Sequence, residues 1–173
     1  NPGAQVTLTG MTVANANATN GAIQNGGDLQ LENAALSNNV SLAGGGIYNI
    51  GSLRVTNSRI LGNTGLNGGG GIYNFSGSVE LINSSVLSNT TLNSATVGGG
   101  LYSIGNSVSL ASVSISGSTI ASNTTASGGG GLYNDGASAL VVRNSTVSGN
   151  SAFEGGGIYN RGMMSSVDVG YVT

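Results

Sequence analysis

Short aliphatic pairs, each split by one polar or small residue, return along this chain at a long and nearly constant interval. They are Val6-Thr7-Leu8, Leu29-Gln30-Leu31, Leu53-Arg54-Val55, Val79-Glu80-Leu81, Val113-Ser114-Ile115, Leu140-Val141-Val142 and Val167-Asp168-Val169. Alternation with period two over so few residues predicts a strand with one buried face. The second aliphatics stand at positions 8, 31, 55, 81, 115, 142 and 169, so the steps are 23, 24, 26, 34, 27 and 27 residues. A third aliphatic follows five positions later, at Val13, Leu36, Ile60, Val86, Ile120 and Val147. A fourth stands in a Gly-rich phrase, at Ile23, Ile47, Ile72, Leu101, Leu132 and Ile158.

Self-similarity at this period is the mark of a solenoid, whose units bury their apolar faces only against their neighbours. Three short strands per coil close a roughly triangular section, and successive coils stack as parallel strands about 4.8 Å apart. The expected fold is all-β, a right-handed parallel β-helix of about six coils, the hand following the general preference of parallel crossovers. Residues 1–173 make one domain. The step of 34 arises from two insertions, 90–97 and 106–112, which belong at corners.

The polar positions are as periodic as the apolar ones. Asn33, Asn57, Asn83 and Asn144 form one column, with Gly10 and Gly117 in the same place. Asn39, Asn63, Asn89, Asn123 and Asn150 form a second; Asn25, Asn49, Asn74, Asn134 and Asn160 form a third, in which Ser103 stands once. Asn tolerates turn conformations, and stacked amides bond along an axis, so all three columns are expected to be structural corners with the side chains turned inward. On that reading sequons such as Asn83-Ser84-Ser85 and Asn144-Ser145-Thr146 are by-products of composition.

Composition excludes more than it identifies. Gly contributes 32 residues, charged residues are 6%, aromatics 5%, and Cys, Trp and His are absent. Four Arg and no Lys leave no basic surface for a phosphate backbone, so nucleic acid is not an expected partner. No run of about 18 apolar residues predicts a membrane-spanning helix, and residues 1–5 lack the pattern of a secretion signal. The six acids, Asp28, Glu32, Glu80, Asp135, Glu154 and Asp168, form no convergent pair in the coil register, and no His or Lys is present as a base. No acid lies within the Gly-rich phrases, as a calcium roll would require. No catalytic residue, cofactor or metal site is therefore expected. Arg54 with Glu80, and Asp135 with Arg161, share outward columns as candidate ion pairs.

One column is a candidate for recognition. Tyr48, Tyr73, Tyr102, Tyr133 and Tyr159 each follow an inward aliphatic, so their rings are expected to face outward and stack from coil to coil. Such a surface suits a sugar or another protein; the alternative is that the rings cover the Gly-rich backbone and stabilise the stack. A flat Thr face of the ice-binding kind is broken by Ala35 and Arg59 in the column Thr12, Ala35, Arg59, Ser85, Thr119, Thr146.

The Gly-Gly-(Gly/Ala)-(Ile/Leu) phrase together with Ile60-Leu61-Gly62-Asn63 and Val147-Ser148-Gly149-Asn150 resembles the polymorphic outer-membrane protein repeats of chlamydial autotransporters. The stretch Asn144 to Asn150 resembles the Asn-Ser-Thr-(Ile/Val)-Ser-Gly-Asn repeat of long bacterial surface proteins. The resemblance covers residues 6–169 and implies a secreted or cell-surface β-helix, a non-catalytic adhesin stalk or filament subunit. The alternative is a carbohydrate-active enzyme or sugar-binding module using the Tyr column and the inserted corners. Both chain ends fall in strands with no capping helix, so the expectation is either an excerpt of a longer solenoid or a unit that stacks end to end. A host or matrix glycan or protein is the other expected partner.

Overall fold

The computed structural model describes residues 5–162 and 164–173; residues 1–4, read above for a signal, lie outside them. The described strands pair in parallel throughout and wind as a β-solenoid of about six turns. They form three sheets, of twelve, four and six strands. The long sheet covers two sides of each winding. Ser138–Ser148 runs around the intervening corner without a break and joins the two sides.

Register is what the aliphatic period requires. Leu8, Leu31, Val55, Leu81, Ile115, Val142 and Val169 stand one on the next, as do Val6, Leu29, Leu53, Val79, Val113, Leu140 and Val167. Val13, Leu36, Ile60, Val86, Ile120 and Val147 line the second side. Ile23, Ile47, Ile72, Leu101, Leu132 and Ile158 line the six-stranded sheet. These columns meet as one apolar core, fully enclosed in the middle windings. A buried aliphatic side chain contributes roughly 1.5–3 kcal/mol, so no single winding holds itself together and each depends on its neighbours.

Left-handed residues make the corners. Asn33, Asn57, Asn83 and Asn144 all have φ between 48° and 50°, and Gly10 and Gly117 take their place at 65° and 58°. A second left-handed column, absent from the sequence reading, comprises Asn15, Asn38, Gly62, Ser88, Ser122 and Gly149. The Gly-rich phrase follows a different logic. A Cβ on Gly70 would lie 2.2 Å from the carbonyl oxygen of Gly99 in the next winding, so close backbone approach excludes every other residue there.

Candidate functional site

The second and third Asn columns lie inside the tube, except for Asn160, which is exposed in the last winding, and spend their amides on one another. Asn39 Nδ2 donates to Asn63 Oδ1 (2.9 Å), Asn63 to Asn89 (3.0 Å), Asn89 to Asn123 (3.0 Å) and Asn123 to Asn150 (2.9 Å). Each Oδ1 also accepts the backbone N–H of the preceding amide, as Asn89 does from Asn63 at 2.9 Å. In the third column Asn25 donates to Asn49 and Asn49 to Asn74, both at 2.8 Å. The series is then diverted: Asn74 Nδ2 reaches Ser103 Oγ, and Ser103 Oγ pairs with Ser138 Oγ at 2.9 Å. Asn134 donates onward to Asn160 at 2.8 Å, but its own Oδ1 is buried without a partner. The short Ser103 side chain is the cause, because it cannot span the winding to Asn134.

The first Asn column differs from the expectation. Asn33, Asn57, Asn83 and Asn144 are exposed rather than turned inward, because a left-handed corner points its side chain away from the core. They shape the corner by backbone conformation alone. Immediately after them runs a buried hydroxyl column that sequence reasoning missed. Ser58 Oγ accepts from Ala34 N (3.0 Å), Ser84 from Ser58 (3.1 Å), Ser118 from Ser84 (3.0 Å) and Ser145 from Ser118 (3.1 Å). Its signal was available as Ser following the corner residue at 58, 84, 118 and 145.

On the outside, the Tyr column is in register from Tyr48 through Tyr73, Tyr102 and Tyr133 to Tyr159. The rings are not a free platform. Tyr133 is buried and the other four are half-covered. Tyr73 and Tyr102 stack face to face with centroids 4.8 Å apart and planes within 1°. Tyr48 meets Tyr73 edge-on at 5.5 Å, and Tyr133 meets Tyr102 edge-on at 5.3 Å. The faces a sugar would need are thus largely occupied by neighbouring rings. Burial pushes the Tyr102 hydroxyl well above the usual phenol range, with Tyr73, Asp135 and Tyr133 adding to it; burial and then Tyr48 raise Tyr73. Two positions on, the same face carries Ile50 and Phe75, exposed by 45% and 39%, with Ile104 in line and half-buried.

The charged residues concentrate on the outward face of the long sheet. Arg54 donates to Glu80 at 2.6 Å, as their shared column requires. Arg143 pairs with Asp168, a bridge across columns that register alone did not reveal; the pairing holds the Asp168 carboxyl below its usual range. Arg161 does not bridge to Asp135 but donates to the Tyr133 hydroxyl at 3.4 Å, while Asp135 accepts from the backbone N–H of Gly136 at 2.7 Å. Around Arg54 and Glu80 the sheet face holds a groove of about 410 Å³, with Asp28 and Gln30 toward one end and the in-register Ser52, Ser78 and Ser112 along it. Among the described residues no group of three or more His, Cys, Asp or Glu is placed to hold a metal, and no helix is long and apolar enough to cross a membrane. Compared with known proteins, the chain matches no family model, no curated protein and no solved structure.

Proposed function

We propose that this chain is a segment of a stiff, non-catalytic rod displayed outside the cell, working as an adhesin stalk or filament subunit. The observation that carries the reading is the continuous register of the core columns, the Asn39 to Asn150 amides and the buried hydroxyls, each winding serving as the template for the next. Such a stack extends by repetition, through further windings of the same polypeptide or through a second copy placed end to end. The resemblance of Asn144 to Asn150 to bacterial surface repeats supports the extracellular setting.

Antibodies raised against the purified chain test the location: labelling of intact source cells is expected, and labelling only after permeabilisation overturns the reading. Electron microscopy of the native material tests the form. Rods one solenoid wide are expected; compact particles without axial continuation would reject the rod.

A further inference from the structure

We propose that the groove on the outward face of the long sheet binds a neutral oligosaccharide, laid along the coil axis and held by the Arg54–Glu80 pair. The inference deepens the adhesive part of the function above and rests on it, but uses a different face from the Tyr column. Three observations carry it. The groove, at about 410 Å³, has the size of a small-ligand site and crosses several windings. Its floor is chemically mixed: in-register hydroxyls at Ser52, Ser78 and Ser112 flank a guanidinium and a carboxylate that lie 2.6 Å apart and are each about half exposed. A half-exposed ion pair offers planar donors and acceptors side by side, which suits adjacent sugar hydroxyls.

The third observation is the inserted loop 106–110. Asn106 Nδ2 donates to Ser76 Oγ and Ser109 Oγ to the Ser76 carbonyl, so the loop is anchored beside the corner that leads into Ser78. It leads directly into Ala111–Ser116, which brings Ser112 to the groove, and it carries Val108 and Leu110, exposed by 93% and 67%. Residues 106–110 do not line the groove itself; Leu110, two positions before Ser112, puts an exposed apolar side chain near it, which matches a ligand with polar edges and C–H faces.

Charge and backbone pairing narrow the class. Asp28 and Glu80 outnumber Arg54 in the lining, which disfavours polyanions such as uronate or sulfated glycans. A peptide strand recognised by backbone pairing needs a sheet edge, and the groove lies over strands already paired to neighbours on both sides.

The test is an array of short neutral oligosaccharides, read beside acidic glycans and extended peptides, followed by titration calorimetry with the best neutral hit. The wild-type chain is expected to retain neutral glycans. Arg54→Ala is expected to weaken binding about tenfold or more, the loss of one hydrogen-bonding charged group. Ser112→Tyr, which fills the groove from an exposed position, is expected to abolish it, and serves if Arg54→Ala fails to fold. Arg59→Ala, on the adjoining side, should bind as wild type. Capture of acidic glycans alone or peptides alone, capture of nothing, or unchanged affinity in folded Ser112→Tyr overturns the proposal. Those results leave cell-surface labelling and rod form untouched, so failure here is distinguishable from failure of the rod.

Discussion

Asn89 accepts at Oδ1 from the backbone N–H and side chain of Asn63, and donates from Nδ2 to the Ile60 carbonyl and to Asn123. Asn89→Ala strands the buried Asn63 N–H and the Ile60 carbonyl, and a loss of about 3 kcal/mol is expected in urea unfolding. Asn89→Asp keeps the shape, yet an ionised carboxylate cannot donate to the two oxygens it faces. Burial and those oxygens raise the new carboxyl above its unfolded value of about 3.9. A raised folded value makes the variant closest to wild type below about pH 4. The deficit should widen as pH rises through the folded value; a deficit independent of pH would contradict the buried, bonded position. The orphaned Asn134 Oδ1 marks the opposite opportunity. Ser103→Asn supplies an amide that accepts from Asn74 and donates to Asn134, for an expected gain of about 1 kcal/mol, read as a rise in melting temperature. At this scale the residue type did not identify the job. Asn33 and Asn39 are the same amino acid in neighbouring corners. Only the backbone conformation sends one to solvent and the other into the tube.

At the scale of the winding, the apolar period was enough to place the inward aliphatics of the long and six-stranded sheets, because a slip of one position would turn a whole column outward. It did not reveal the four-stranded sheet, whose buried positions are Ser41, Gly65 and Thr91. What spacing did not convey was how far the outer face is covered. The Tyr rings lie over glycine backbone and against each other: a Cβ on Gly128 would meet the Tyr133 ring at 2.8 Å. That cover depends on ring orientation, which no spacing encodes. The groove was equally hidden, since its lining comes from several windings and from the curvature of the sheet. Gly70→Ala tests the close approach of backbones, and the 2.2 Å clash with a carbonyl oxygen predicts a loss of about 3 kcal/mol or more, with the chain failing to accumulate as the severe outcome. The Tyr stack predicts a late alkaline titration. Because Tyr73 and Tyr102 are raised by burial, the stability of their neutral forms is complete below the unfolded value of about 10 and is lost as pH rises through the folded values. Phenolate absorbance from these two should therefore appear late and together with unfolding; an ordinary reversible titration of all the tyrosines would refute the packed column.

For the whole molecule, the stack behaves as a one-dimensional array in which windings tolerate local change at their corners. Removing residues 106–110 joins Gly105 to Ala111 and returns that corner to the length of Phe75-Ser76-Gly77-Ser78 in the preceding winding. The loop's bonds are confined to itself and to Ser76, so the change in stability should stay within about 1 kcal/mol by thermal melting. A collapse of the fold would show instead that the insertion braces the sheet.

The internal amides also have a direction. From Asn39 to Asn150, and from Asn25 to Asn74, each amide-to-amide bond runs from an Nδ2 to the Oδ1 of the next winding, so every receiving Oδ1 points back toward the first winding, while Asn39, Asn63, Asn89 and Asn123 also donate to a carbonyl of the winding before. The hydroxyl column is oriented likewise, each Ser oxygen receiving from the winding before it. Small dipoles aligned in this way add along the long dimension, so the two tips of the particle are electrically unlike. Suspended molecules should then turn in a weak pulsed field as permanent dipoles do, with a sense that reverses when the field reverses.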